Sequence, residues 1–213
     1  MAEFDESYWR DHWTPAIAHQ NLLPVNPYVP AETAHLPRGT ALDAGCGAGA
    51  EAIWLAEQGW AVTAADISRA ALSRAQAHAV SADVDARIEW IETDLTRWVP
   101  QRTWDLVVTS YAHADIGQLA FYRRIASWVA PGGTVLIVGH GHGGHVHPDD
   151  ATVTLHAITR SFSEPEWRIE SSCESTRVVT AGNALVTLRD VVVRARRSGT
   201  SRHASTLKGT PLQ

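Results

Sequence analysis

Three glycines spaced two residues apart, Gly45, Gly47 and Gly49, follow the apolar segment Gly39-Thr-Ala-Leu-Asp43 and precede AEAIWLAEQ at residues 50–58. A strand that turns this sharply into a helix needs backbone conformations that a Cβ disfavours. The missing side chains also leave the loop open to a close-packed ligand. The N–H groups freed at the start of the next helix favour polar or negative ligand groups. This loop commits the chain to a strand–turn–helix unit, and the pattern downstream repeats that unit.

After the first helix ends at Gly59, Trp60–Ala65 reads as a second strand. Ser68 can cap a helix running to Val80, with Ala71, Leu72, Ala75 and Ala79 on one stripe. Arg87–Glu92 and Trp104–Thr109 read as strands three and four. Asp115–Val129 reads as a helix with Ile116, Leu119, Ile125 and Val129 facing a core. Pro131-Gly132-Gly133 ends that helix before the fifth strand, Thr134–Val138. Two long β-like runs, 167–179 and 184–196, are joined by Thr180-Ala181-Gly182-Asn183, a hairpin signal. Alternating strands and helices at this spacing imply βαβ units and a parallel sheet covered on both faces. The fold expected is α/β: a Rossmann-like, doubly wound, mostly parallel seven-stranded sheet with a C-terminal antiparallel hairpin.

Upstream, residues 1–13 carry a short helical pattern. Residues 14–37 are broken by Pro15, Pro24, Pro27, Pro30 and Pro37, leaving room for a short helix at 28–35. The expected organisation is an N-terminal lid or helical segment at 1–37, one ligand-binding domain at 38–197, and a small, polar, disordered tail at 198–213. A chain of 213 residues suffices for one such domain. The net charge of −5 gives no general attraction for nucleic acid or an anionic membrane. Two distant cysteines, Cys46 and Cys173, do not make a disulfide framework, so a reducing cytoplasm is the expected setting. No apolar run is long enough to span a bilayer as a helix. Monomer and homodimer both stay open.

Glycines at 45 and 47 with Ala50, and an acid at Asp66, also satisfy a loose dinucleotide fingerprint. Three features favour a different adenosine ligand. Asp43, inside the strand end, suits a ligand bearing an ammonium group. Asp94 follows the third strand at the same carboxyl edge of the sheet, where a carboxylate can accept from an adenine amino group. The terminal hairpin is foreign to dinucleotide domains. In order, Leu42-Asp-Ala-Gly-Cys-Gly-Ala-Gly49, Val62-Thr-Ala-Ala-Asp66-Ile-Ser68, Asp94-Leu95, Trp104-Asp-Leu-Val-Val-Thr-Ser110 and Ala130-Pro-Gly-Gly-Thr134 resemble the motif set of class I S-adenosylmethionine-dependent methyltransferases. The resemblance covers about 38–140 and extends to about 196 with the hairpin. It implies that Asp43, Ala44, Gly45, Cys46, Gly47 and Gly49 border the methionine part of the cofactor. It implies further that Asp66 binds the ribose, Ile67 packs on adenine, Asp94 and Leu95 hold the adenine edge, and Ser110 and Tyr111 lie near the methyl group. The product would be S-adenosylhomocysteine.

A closer likeness links Trp9-Arg-Asp-His-Trp13 to the Trp-x-Asp-x-Trp of thiopurine S-methyltransferases. Gly59-Trp60-Ala-Val-Thr with Asp66-Ile-Ser also matches that group and the tellurite-resistance methyltransferases. This implies Trp9 and Trp13 as cofactor or lid residues; the plain alternative is two aromatics anchoring a helix. Cys46 reads as a small packed residue rather than a reactive thiol, and Glu51 as a surface acid near a helix dipole. His113, just after the fourth strand, is the candidate base, or a loop histidine without a role. The segment 139–150 holds His140, His142, His145 and His147. It reads as a substrate loop, a flexible loop or, less favourably, a metal site, and no metal ligands are assigned. The acceptor expected is a small molecule bearing sulfur, oxygen or a metalloid. Two alternatives stand beside it. An NAD-dependent oxidoreductase is weakened because Lys208 is the lone lysine, which removes a Tyr–Lys pair. A non-catalytic S-adenosylmethionine-binding protein is the other.

Overall fold

The computed structural model describes residues 24–141, 152–181 and 184–199. Its central sheet runs β3-β2-β1-β4-β5-β8-β7, with a two-residue β6 beside β5 as the eighth strand. The strands are β1 Thr40–Ala44, β2 Ala61–Asp66, β3 Ile88–Glu92, β4 Trp104–Ser110, β5 Val129–Gly141, β6 Thr152–Val153, β7 Trp167–Ala181 and β8 Ala184–Arg197. All pairings are parallel except those of β8, which is antiparallel to both β5 and β7. The expected α/β fold with its terminal hairpin is therefore present, and β6 is the strand that its two-residue length hid.

Helices cover both faces. On one side α1 (Tyr28–Thr33), α2 (Ala50–Glu57) and α3 (Arg69–Ser81) pack Val29, Ile53, Leu55, Leu72 and Ala79 against Val62, Leu106, Val108, Leu136, Val138 and Val192. On the other, α4 (Gln118–Ala126) and α5 (Leu155–Thr159) bring Phe121, Tyr122, Ile125 and Ile158 onto Leu42, Val107, Val135, Ile137, Val191 and Val193. The central strands are apolar on both faces because both faces are covered. Ser68 caps α3 as expected, its hydroxyl accepting from Ala71 N at 3.3 Å.

Two boundaries differ from expectation. Helix α4 starts at Gln118, not Asp115, because Gly117 lies at φ +80; Ile116 is left 43% exposed rather than packed. Strand β5 starts at Val129, which already pairs with Trp104, so Val129 belongs to the sheet and Pro131-Gly-Gly lies within the strand.

Helix α1 is fastened to the hairpin. Arg194 of β8 donates to Glu32 O at 2.8 Å and lies 3.4 Å from the Glu32 carboxylate and 3.5 Å from Glu170, while Ser171 Oγ donates to Glu32 at 3.0 Å.

Candidate functional site

Strand alternation decides what the carboxyl edge of the sheet presents. Asp43 continues the face of Ala41, and Asp66 that of Val62 and Ala64. Ser110 continues Leu106 and Val108, His140 continues Leu136 and Val138, and Asp190 that of Val192. One face of the sheet therefore ends in a row of polar side chains just where the strands hand over to loops, the position at which ligands bind in open α/β sheets.

The glycine loop is held in place from below. Gly45 N and Cys46 N donate to Ala65 O at 2.8 and 3.1 Å, and Gly47 N donates to Asp66 Oδ2 at 2.9 Å. Gly45 and Gly49 both have left-handed φ, +81 and +85. A Cβ on Gly45 would stand 2.4 Å from Ala112 Cβ, and one on Gly49 2.8 Å from Ala75 Cβ, so both positions need glycine for backbone and for space. Ala44 is fully buried, and Cys46 is buried beside its own loop. Burial foremost, with the neighbouring Asp66 and Asp43, pushes the Cys46 thiol well up, as a packed and inert cysteine requires.

Three carboxyls surround this loop. Asp43 is 1% exposed, and its Oδ2 is buried without a hydrogen-bond partner. Burial first, then Glu51 and Asp66, raises its pKa well above its ordinary value. Burial likewise raises Glu51 and Asp66. Glu51 is not the surface acid that its place in a first helical turn suggests. It accepts from Asn26 N at 3.1 Å, tying the segment before α1 to the loop. Asp66 accepts from Ser68 N at 2.8 Å as well as from Gly47 N, and so joins the loop to the start of α3. No cation faces these carboxyls in any hydrogen bond or ion pair among the described residues. An orphaned carboxylate oxygen and mutual repulsion are the properties of a site shaped for a cationic ligand.

The other expected residues are spread along the same edge. Ile67 is half-buried after β2. Asp94 lies beyond β3, where its Oδ1 accepts from Thr96 N and Oγ1 at 2.8 and 2.6 Å and its Oδ2 lies 3.4 Å from Arg97 Nε. These are the bonds of a turn residue. Leu95 is buried against the sheet. Ser110 Oγ is buried without a partner, a second orphan beside the loop.

Tyr111 follows β4 with φ +56, unusual for a residue with a Cβ. Its hydroxyl donates to Asp190 Oδ1 at 2.6 Å and accepts from Arg177 Nη2 at 2.8 Å, while Arg177 Nε reaches Asp190 Oδ2 at 2.6 Å. Its ring stacks on His140 with centroids 4.2 Å apart and planes at 9°. His113 lies 5.6 Å beyond, centroid to centroid. His140 therefore belongs to the end of β5, buried, rather than to a histidine-rich loop. The Tyr28 hydroxyl of α1 sits near Ser175 and Asp190, and burial raises its pKa. The sequence reading missed Arg177, Asp190 and Tyr28. An available signal was Asp190 itself, a charge directly before Val191-Val-Val193 in an otherwise buried strand.

Trp9, Trp13, His142, His145 and His147 lie outside the described residues, as does most of the 198–213 tail. Among the described residues no group of three metal-ligating side chains occurs. No described helix is long and apolar enough to cross a membrane.

Comparison with known proteins shows what this chain is similar to. Residues 41–133 match the family described as "Methyltransferase domain". An uncharacterized methyltransferase of Mycobacterium tuberculosis (strain ATCC 25618 / H37Rv) is 37% identical over 110 residues, covering 49% of this chain and 53% of that protein. The chain thus spans about half the length of the mycobacterial relatives it matches. A probable thiol methyltransferase of Arabidopsis thaliana is 25% identical over 141 residues, 64% of this chain and 62% of its own. The magnesium protoporphyrin IX methyltransferase of Synechocystis PCC 6803, solved with bound SAM, superposes with a TM-score of 0.63 over 93% of this chain and 100% of that one, at 18% identity. The strand–loop–helix units that frame the glycine loop, from β1 into the start of β5, are thus similar to a methyltransferase domain.

Proposed function

We propose that the protein is an S-adenosylmethionine-dependent methyltransferase acting on a small molecule, with S-adenosylhomocysteine as product. The observation that carries this reading is the ring of Asp43, Glu51 and Asp66 around a glycine loop, with Asp43 Oδ2 orphaned. S-adenosylmethionine bears an ammonium and a sulfonium, so its cationic end suits carboxyls that lack a counter-charge. The pyrophosphate of NAD would meet the same three carboxyls as an anion, which weighs against the dinucleotide reading. Asp43 and residues Ala44 to Gly49 would hold the methionine part and Asp66 the ribose. Ile67, Asp94 and Leu95 would border the adenine, and Ser110 and Tyr111 the reacting end. Trp9 and Trp13 are proposed as lid residues on the likeness described above.

The cofactor, when bound, supplies an activated methyl carbon. The protein's task is alignment and exclusion of water, and holding two reactants in line is worth about 7–11 kcal/mol. Tyr111 is a poor base, because burial and its bond to Asp190 hold its hydroxyl protonated well beyond neutral pH. His113, beside the stacked Tyr111–His140 pair, is then the group that can take a proton from the acceptor. A sulfur acceptor fits best, since it needs little more than deprotonation and since the Arabidopsis relative carries a thiol methyltransferase name. Oxygen and metalloid acceptors are second.

Calorimetric titration with S-adenosylmethionine, S-adenosylhomocysteine and NADH tests the reading, with Asp43→Asn as the variant. Binding of the first two, with S-adenosylmethionine weakened about tenfold or more in Asp43→Asn, is expected for loss of a charged partner. Preferential binding of NADH, or full affinity in Asp43→Asn, would sink it.

A further inference from the structure

The C-terminal hairpin contributes more than a sheet edge. Arg177, Asp190 and the Tyr111 hydroxyl close a ring of three short hydrogen bonds, although Arg177 lies 66 and Asp190 79 residues from Tyr111. The Asp190 side chain is wholly buried and that of Arg177 is 27% exposed. A buried ion pair is poor value for stability alone, because desolvation consumes most of the attraction. A left-handed tyrosine is likewise costly and persists only where its surroundings over-determine it. Both occur here together, at the carboxyl edge of β4 and β5, between the orphaned Ser110 hydroxyl and the His113–His140 pair.

Resting on the proposed methyltransferase reading, we infer that Arg177 and Asp190 are positioning residues of the acceptor side: through the ring they hold Tyr111 in its left-handed conformation and so orient the Ser110–His113 segment against the acceptor. Asp190 fixes the guanidinium from the neighbouring strand position, since Ser175 pairs with Asp190 and Arg177 follows two residues on, on the same face. The guanidinium then fixes the hydroxyl, and His140 stacks under the ring. Tyr28 of α1 flanks the arrangement near Ser175 and Asp190. The cofactor carboxyls take no part in any of these bonds, and neither Arg177 nor Asp190 is among the residues proposed to hold the cofactor, so loss of the guanidinium is read on the acceptor side.

The test uses the full chain with Arg177→Met, Arg177→Lys, Tyr111→Phe and the Arg177→Met/Tyr111→Phe double variant. Thiophenol and hydrosulfide serve as acceptor probes with methyl-labelled S-adenosylmethionine. Arg177→Met is expected to raise the acceptor KM by about tenfold or more, the loss of a hydrogen bond to a charged group, with the S-adenosylmethionine Kd within about twofold of wild type. Arg177→Lys should fall between, and the double variant should be no worse than the worse single, as residues acting through one unit require. Additive losses, or an equal loss of cofactor affinity, overturn the inference. If wild type methylates neither probe, the thiol reading fails separately, and the ring is judged by NMR. The strong intraresidue HN–Hα NOE of a left-handed residue, read together with the three-bond HN–Hα coupling, reports the φ of Tyr111. A shift of Tyr111 out of the left-handed region in Arg177→Met supports the inference, and an unchanged φ refutes it. Tyr111→Phe, which leaves the Arg177–Asp190 pair intact, serves the kinetic test should Arg177→Met fold poorly.

Discussion

Replacing Asp66 with alanine removes the one side chain that two backbone donors share, Gly47 N–H in the glycine loop and Ser68 N–H at the head of α3. Neither donor has another acceptor among the described bonds. Each loss of a hydrogen bond to a charged group costs about 1–3 kcal/mol, so the pair costs about 2–6 kcal/mol. Against a typical stability of about 5–15 kcal/mol that is a large share. For a domain of this size it lowers Tm by roughly 4–24 °C, at about 2–4 °C per kcal/mol. Asp66→Asn keeps one acceptor oxygen and turns an NH₂ toward the other donor, so it should lose about half as much, one bond rather than two. Urea denaturation of both variants without added cofactor measures this directly. Equal losses from the two substitutions, or losses below about 0.5 kcal/mol from both, refute the claim that Asp66 is first a bracket for the loop. The result bears on function too, because weakened cofactor binding in Asp66→Ala would then report a collapsed loop as much as a missing ribose contact.

The raised pKa of Asp43, Glu51 and Asp66 means that the folded chain holds these protons more tightly than the unfolded chain. Stability should therefore fall as pH rises from about 4 into the neutral range, a slope that urea melts at several pH values will show and that added S-adenosylmethionine should flatten. In Gly45→Ala, the left-handed backbone costs about 1–2 kcal/mol and the contact with Ala112 about 1–3 more; adding Ala112→Gly should recover the second part and not the first, read by thermal melts. Arg194→Met should free α1 from the hairpin by leaving Glu32 and Glu170 without their cation, costing about 1–3 kcal/mol and speeding hydrogen exchange at residues 29–34 more than in the sheet.

Much of the fold could be read from local signals. Strand length, apolar runs and Ser68 located β1, β2, β3, β4, both hairpin strands and α3 within a residue or two. The errors arose where a distant partner overruled the local pattern. Val129 looked like the last turn of a helix and is a strand residue because Trp104 pairs with it. Glu51 looked like a surface acid and is instead met by Asn26 across 25 residues of chain. The glycine loop and its acids were legible because one continuous stretch and two strand ends build them. The Tyr111 ring was not, since alternation shows which way Arg177 and Asp190 point but not that a loop after β4 meets them.

The position of β8 sets an order on the birth of this molecule. The last of the described strands lies inside the sheet, between β5 and β7, and its bonds to β5 join Thr134–His140 to Asp190–Arg196. While the chain emerges from the ribosome, β1 to β5 can assemble, yet β5 keeps a bare row of amides and carbonyls along one side. Strand β7 arrives with no neighbour to receive it. Only when β8 slides between them does the sheet become continuous, so the final step resembles setting a keystone rather than adding a last brick. A nascent chain stalled before residue 184 should consequently be a sticky intermediate, one that engages chaperones until its closing strand is made.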